Sequence, residues 1–521
     1  MVKFDDSVTY AALVFVSIDS TSFLLSPFLC AGELIVNCLR IHCTLGVMAI
    51  CSSSVLAQGL IAPGAGPINQ SMAGASTAAP VDFGSSYWNP ATLSGLERQE
   101  FLLGSSLNIP STHLTTSIPK GSINGILPLQ NRFGTARSDS GVIPSLATGV
   151  AWRMADDSPL TFGLGIFGLA GGNVNYAGNP SIPLLGPRRP PRNYGVGPIY
   201  ANAAFLSVNP MLSYRVTEKL SIGGGPMITS GSMSLNPAFF APEKRPGSLF
   251  PSFPAATNAR PFWGAGFQLG LLYELNESWN LGFSYKSPIW QERWAFNSAT
   301  ADLQPKRIGI QAQLPAITSW GIAYKGIDRL LIDVDFRYMD YANTSLFGQK
   351  VADGGLGWQS VFAFATRIQY ALTDQLTLRA GYLFNTNPIR NENTLFNVQL
   401  PGIVTNSLSF GSSLKLTKDV TLSAAWVHGF RNSIQGNVVE RSGAFSRFDT
   451  QLDSIVMGLN VQFGGKRRPK LPELPTYAPA AVPEPMPTQT VHGSDSSESA
   501  ERTPHLGTVA TESRDGQHET P

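Results

Sequence analysis

"WNLGFSYK", residues 279–286, places Trp279, Leu281, Phe283 and Tyr285 on one face of an extended chain and Asn280, Gly282, Ser284 and Lys286 on the other. A strand of a soluble sandwich alternates in the same way, but its polar face meets bulk water and carries more charge than these small residues do. Apolar faces with aromatics at the strand ends match the girdle of an outer-membrane barrel. The same period appears in "LTLRAGYLF" (376–384) and in "SIVMGLNVQF" (454–463), where Ile455, Met457, Leu459, Val461 and Phe463 share a face.

Short polar turns punctuate the pattern. They fall at Asp157-Ser158, Glu218-Lys219, Glu277-Ser278, Asp328-Arg329, Asp374-Gln375 and Lys418-Asp419, and an alternating run follows each. Six such turns join twelve strands, and a first strand near Phe101 and a last ending at Phe463 bring the expectation to about fourteen. The connections at the opposite ends are all longer, the asymmetry of a bacterial outer-membrane barrel whose long loops face outward. The fold class expected is all-β, a transmembrane antiparallel barrel over 98–463.

Composition agrees. Only 14% of residues are charged, yet no stretch after residue 60 has the roughly 18 apolar residues of a membrane helix. The formal net charge of +2, with both signs mixed along the chain, leaves no electrostatic footprint for nucleic acid. Residues 1–57 read as a leader: Arg40 precedes "LGVMAICSSSVLAQG", with small residues near Ala57. A cut after Ala57 removes all four cysteines, Cys30, Cys38, Cys43 and Cys51, and with them any disulfide or thiolate-metal framework. The leader is overlong for a simple signal; a mis-assigned upstream start is the favoured reading and a true N-terminal anchor the alternative. Ile50, where a small residue is needed, argues against a lipoprotein at Cys51. From Gly464 to Pro521 a Pro-rich, then Ser/Glu/Thr-rich tail cannot bury a core, and after the last strand it is expected to be periplasmic and disordered.

Between leader and first strand, residues 58–97 lack strand alternation. There "SMAGASTAAPVDFGSSYWNPATLSGL" (71–96) resembles the N-terminal motif of the outer-membrane long-chain fatty-acid transporter family, which also includes importers of toluene and other aromatic hydrocarbons. The matching positions are Gly74, Ala75, Asp82, Asn89, Pro90, Ala91 and Leu93. The resemblance implies a hatch plugging a fourteen-stranded barrel, and the long tail and leader depart from it. Physically, Pro90 fixes its own φ and keeps Asn89 out of the helical region, while the Asn amide can close a turn without a partner strand.

Large apolar side chains cluster in the expected outer loops: Phe239, Phe240, Leu249, Phe250, Phe253, Phe262 and Trp263, then Ile289, Trp290 and Trp294. Such clusters suit capture of an apolar ligand, although they also pack loops together or meet outer-membrane lipid. By the resemblance these are the third and fourth external loops, which form the family's first hydrophobic groove.

Three neighbouring strands direct Asp333, Asp335 and Arg337, then Arg367 and Gln369, then Thr377 and Arg379 into the lumen. Arg337, Arg367 and Arg379 are head-group candidates for a carboxylate, against the stronger reading that lumen charges pair with one another or dock the plug. The third strand carries Gly163, Gly165, Gly168, Gly171 and Gly172, and glycine weakens a strand. The resemblance implies a kink there, through which ligand leaves sideways near Gly163 to Gly168.

The function expected is therefore uptake of long-chain fatty acids or another apolar small molecule by a monomer in the outer membrane, without metal or other cofactor. An aromatic hydrocarbon importer and a general diffusion porin are the alternatives, and a porin explains neither hatch nor aromatic loops. An enzyme is not expected: only His113 and His428 lie in the barrel, and His428 has no evident acidic orienter. No His/Asp/Glu cluster or phosphate-binding Gly loop stands out.

Overall fold

The computed structural model describes residues 58–467 apart from 123–124, 188–194, 244–251, 258, 301 and 439–442. The leader, nearly all of the tail, and Leu249 and Phe250 lie outside the described residues.

Fourteen antiparallel wall strands close on themselves. In chain order they are β1 (Gln99–Ile118), β2 in two pieces (Arg132–Arg137 and Ile143–Trp152), β3 (Leu160–Tyr176), β4 (Ile199–Arg215) and β5 (Leu220–Asn236). Next come β6 (Phe262–Glu274), β7 (Trp279–Lys286, resuming at Ile289–Gln291), β8 (Gln313–Leu314, resuming at Ile317–Ile327) and β9 (Leu330–Met339). The rest are β10 (Val361–Ala371), β11 (Leu376–Asn385), β12 (Asn406–Lys415), β13 (Val420–Asn437) and β14 (Phe445–Phe463). Each strand pairs with its neighbours in sequence, and β14 closes the barrel on β1 from Gln99 opposite Phe463 to Ser117 opposite Phe445.

All six short turns fall at one rim, where the sequence places them. Their chemistry is local: Thr217, Thr373 and Thr417 each accept from the amides two and three residues on, at 2.9–3.2 Å. Asn276 does the same for Ser278 and Trp279, both at 2.9 Å. Long connections occupy the other rim, among them a hairpin of Trp294–Ala299 and Pro305–Ile310. Outward faces expose Phe283, Trp320, Phe336, Phe364, Phe410 and Trp426, as a lipid-facing wall requires.

The lumen is filled by residues 58–97: helix α1 (Gly66–Ser71) and two 3-10 turns, Phe83–Tyr87 and Pro90–Gly95. Elements this short have little stability of their own, since isolated helices need roughly 12–15 residues. Docking holds them. Phe83, Tyr87, Trp88 and Leu93 are fully buried, and Phe167 of β3 lies 5.5 Å from the Tyr87 ring and 6.0 Å from that of Phe83. Burying one such side chain contributes roughly 1.5–3 kcal/mol.

Candidate functional site

The Asn89-Pro90 turn closes itself and docks. Asn89 Oδ1 accepts from the Ala91 amide at 3.0 Å, while Nδ2 donates to the Thr77 carbonyl at 2.7 Å and to the Leu271 carbonyl of β6 at 2.8 Å. Wall glycines make the room: a Cβ on Gly270 would collide with Asn89 Oδ1, and one on Gly223 with the backbone of Pro90 and Ala91. Gly74 has φ +75° and would clash with the Pro63 carbonyl if it carried a side chain, so the resemblance-bearing glycine also has a local reason. Ala75 packs with Ala363, Ala365 and Leu383. Asp82 lies buried within 3.4 Å of Asn460 Nδ2, whose amide also donates to Glu100 at 2.7 Å.

The three candidate arginines do not line an open channel. Asp335 accepts from the amides of Ser76 at 2.9 Å and Thr77 at 3.1 Å, and from the Thr77 hydroxyl at 2.8 Å. Arg337 pairs with Asp335 at 2.8 Å, donates to the Gly74 carbonyl and stacks its guanidinium 3.9 Å from the Trp88 ring centre. Arg367 pairs with Asp333 at 2.9 Å, and Arg379 donates to Gln369 at 2.7 Å and to Ser413. All three are buried and engaged, Arg337 and Arg367 by acids and Arg337 also by the hatch. In this closed arrangement Arg337 bonds the hatch at Gly74 and Arg367 reaches Met72 Sδ, whereas Arg379 is held by wall residues.

Another cation is left without such a partner. Lys286, at the inner end of the main β7 segment, is buried, its ammonium 4.0 Å from the Tyr87 ring centre and 4.7 Å from that of Trp88. Among the described residues it makes no ion pair with a carboxylate. Gln268, its partner in register on β6, is buried with neither amide atom hydrogen-bonded. The opening octapeptide already showed Lys286 on the polar face; what it could not show was that no carboxylate among the described residues pairs with it.

The aromatic candidates separate into two groups. Phe262 stacks on Trp294 at 5.3 Å, Phe205 lies 5.6 Å from Trp294, and Phe296 adds a fourth ring against Phe262 at 5.8 Å. Phe239 meets Phe253 at 5.0 Å and Phe396 at 6.0 Å, and Phe240 lies 6.1 Å from Phe296. These form an apolar roof at the long-loop end. Trp263 and Trp290 are corrected: both lie on wall strands with side chains facing outward, 58% and 52% exposed, because the period-two alternation of β6 and β7 extends through them. Beside them Arg260 grips Glu292 with two 2.7 Å bonds, which with a bond from the Trp263 amide hold the Glu292 carboxyl down at about 2.

The break in the wall lies in β3, but beyond Gly163 and Gly165. Gly163 sits opposite Ala151 and Met211 in an intact ladder and leaves space for Leu93 of the hatch; Gly165 sits opposite Gly149 and Asn209. Pairing with β2 stops at Ala147 opposite Phe167, and a register shift falls between Gly168 and Ala170. There the hatch takes over the ladder. Ala62 donates to the Leu169 carbonyl at 2.9 Å and Gly171 to the Leu60 carbonyl at 3.3 Å, with Ile61 bridging Ala170. Contact with the β2 chain resumes where Asp139 donates to the Asn175 carbonyl at 2.8 Å.

At the short-turn rim three arginines converge on the end of the hatch. Arg153 donates to the carbonyls of Leu96 at 3.0 Å and Glu97 at 3.1 Å, and Arg215 to that of Ser94 at 3.4 Å. Arg467, just past β14, donates to the Ser94 carbonyl through its side chain and to the Glu97 carbonyl through its amide at 2.8 Å. His428 does have an acidic neighbour, Asp453 at 2.8 Å on β14, which sequence spacing could not reveal because it lies across a strand pair.

The family model described as "Outer membrane protein transport protein (OMPP1/FadL/TodX)" matches residues 48–464. Outer membrane protein P1 of Haemophilus influenzae strain Rd is 21% identical over 422 residues, covering 72% of this chain and 88% of that protein. A 47 kDa outer membrane protein of Pasteurella multocida is 25% identical over 225 residues, spanning 39% of this chain and half of that protein. Among solved structures, a Pseudomonas aeruginosa FadL homologue has a TM-score of 0.61 at 16% identity, covering 78% of this chain and all of that one. The Pseudomonas putida toluene transporter TodX has a TM-score of 0.58 at 18% identity, over 77% of this chain and 99% of that one. A plugged fourteen-stranded barrel and a family match across most of its length place this chain in the OMPP1/FadL/TodX family of outer-membrane transport proteins, which are channels and transporters rather than enzymes.

Proposed function

We propose that this chain takes up long-chain fatty acids as a monomer, with its C-terminal tail in the periplasm. The observation that carries the reading is Lys286: a buried cation without a carboxylate partner, facing an unsatisfied Gln268 amide. A buried charge without a counter-ion is costly, and an incoming carboxylate relieves it. The acyl chain is first held by the aromatic roof around Phe262 and Trp294. Its head group then reaches Lys286 as Tyr87 and Trp88 of the hatch give way. The ligand leaves sideways where β3 parts from β2, at Gly168–Gly171, and avoids the aqueous mouth, where each methylene returned to water costs about 0.8 kcal/mol.

The second reading, import of an aromatic hydrocarbon, is favoured by the roof, whose stacked Phe262, Trp294 and Phe296 need no charge to hold a ring. Uptake of labelled oleate and labelled toluene by cells with and without the protein separates the two. Under the fatty-acid reading the protein accelerates oleate uptake, and Lys286→Met slows it at least about tenfold. Toluene uptake that is accelerated and indifferent to Lys286→Met, with no oleate uptake, replaces it with the second reading.

A further inference from the structure

β1, β13 and β14 contain 20, 18 and 19 residues, about twice the roughly 9–11 that a tilted strand needs to cross the hydrocarbon. Their outward faces change character partway. On β14 the outward side chains from the short-turn rim are Phe463, Val461, Leu459, Met457 and Ile455, then Asp453, Gln451, Asp449 and Arg447. On β1, Leu107 and Ile109 give way to Ser111, His113 and Thr115. The change is marked by Trp426 of β13, opposite Ile455, whose indole nitrogen donates to Asp453 at 3.3 Å. An aromatic with its polar edge toward the charged side is what a membrane interface selects.

Above that line a belt of cations crosses four strands. Arg137 on β2 is opposite His113 on β1; Arg447 on β14 is opposite Thr115; Arg431 lies on β13. Asp449 is shared by Arg431 at 2.7 Å and His113 at 3.1 Å, and Asp453 is taken by His428 at 2.8 Å. Arg447 makes a neutral 3.3 Å contact to Ser433, and neither it nor Arg137 forms an ion pair among the described residues. Asp449 and Asp453 thus serve other groups; Asp139, exposed two residues beyond Arg137, forms no ion pair with it, and both guanidiniums stay unpaired among the described residues.

We propose that this belt binds the phosphorylated head group of an outer-leaflet glycolipid, lipopolysaccharide in a bacterial outer membrane. Depth and direction choose the ligand: the side chains point away from the lumen, just beyond the apolar band, where the lipid head groups lie. A guanidinium fork matches phosphate geometry, and two exposed guanidiniums without an ion pair among the described residues can each take a phosphate oxygen pair. Asp449 holds Arg431 and His113 in place beside the free pair.

The test is native mass spectrometry of the full chain in detergent with bisphosphorylated lipid A, the same lipid dephosphorylated, and inorganic phosphate as competitor. Wild-type protein should retain the phosphorylated lipid at least about tenfold over its dephosphorylated form, and Arg137→Ala with Arg447→Ala should remove that preference. Slower migration on heating shows that each variant is a folded barrel. Arg329→Ala, at the opposite rim, should change nothing. Equal retention of the two lipids, unchanged binding in the double variant, an equal loss in Arg329→Ala, or displacement by millimolar inorganic phosphate would each overturn the assignment.

Discussion

The amide of Gly171 on β3 donates to the carbonyl of Leu60 in the hatch at 3.3 Å, so the plug is itself a rung of the barrel wall. Opening the wall and moving the plug are then one event. Ile61 and Ala170 form an antiparallel bridge at the same place, close enough for a disulfide. The Ile61→Cys/Ala170→Cys variant, oxidised, should bind ligand at the cell surface but not take it up, and reductant should restore uptake. Uptake unchanged in the oxidised protein would refute the sideways exit.

Asp335 and Arg337 are both fully buried, and each also bonds the hatch backbone. Removing one partner of such a pair costs about 3–5 kcal/mol, because the other charge is left uncompensated. Arg337→Met should therefore loosen the hatch and raise single-channel conductance in planar bilayers well above that of the wild type. Adding Asp335→Asn should recover part of the closure, since no stranded charge remains.

Gly270 lies where any side chain would meet Asn89 Oδ1. Gly270→Val should displace the Asn-Pro turn and raise conductance while leaving the barrel folded. Asn89→Ala should act in the same direction, since it strands the Thr77 and Leu271 carbonyls at about 1–3 kcal/mol each. Unaltered conductance in both would show that the turn does not hold the plug.

Arg467 joins the chain just after the last strand to the end of the hatch, through the carbonyls of Ser94 and Glu97. Arg467→Ala should increase passage of small hydrophilic solutes, read as faster liposome swelling. A chain ending after Arg467 should remain as tight as wild type, whereas one ending after Gly464 should leak.

Alternation and turn chemistry are local, and they carried the barrel, its strand number and the rim of short turns. Thr217, Thr373, Thr417 and Asn276 bond amides two or three residues away, so their effect is written in adjacent letters. The hatch was legible too, because "NPA" holds its own turn through Asn89 and Ala91. The roles of particular side chains were not. Trp263 reads as a loop aromatic until the first residues of β6 are seen to alternate, and Gly163 reads as a weak point until Leu93 is found against it.

Period-two patterning by itself determined which face of each strand meets lipid, since successive side chains must point opposite ways. Only the tertiary structure decided that Arg337 and Arg367 clasp acids, that Lys286 has none among the described residues, and that Leu60 and Ala62 complete the wall beside Leu169. Apart from Asp335, two residues from Arg337 on the same strand, the partners lie across a strand pair, as Asp333 and Arg367 do, or about a hundred positions away, as Leu60 and Ala62 do from Leu169 to Gly171. These partners are set by the closure and stagger of the whole barrel, which no local stretch of sequence encodes.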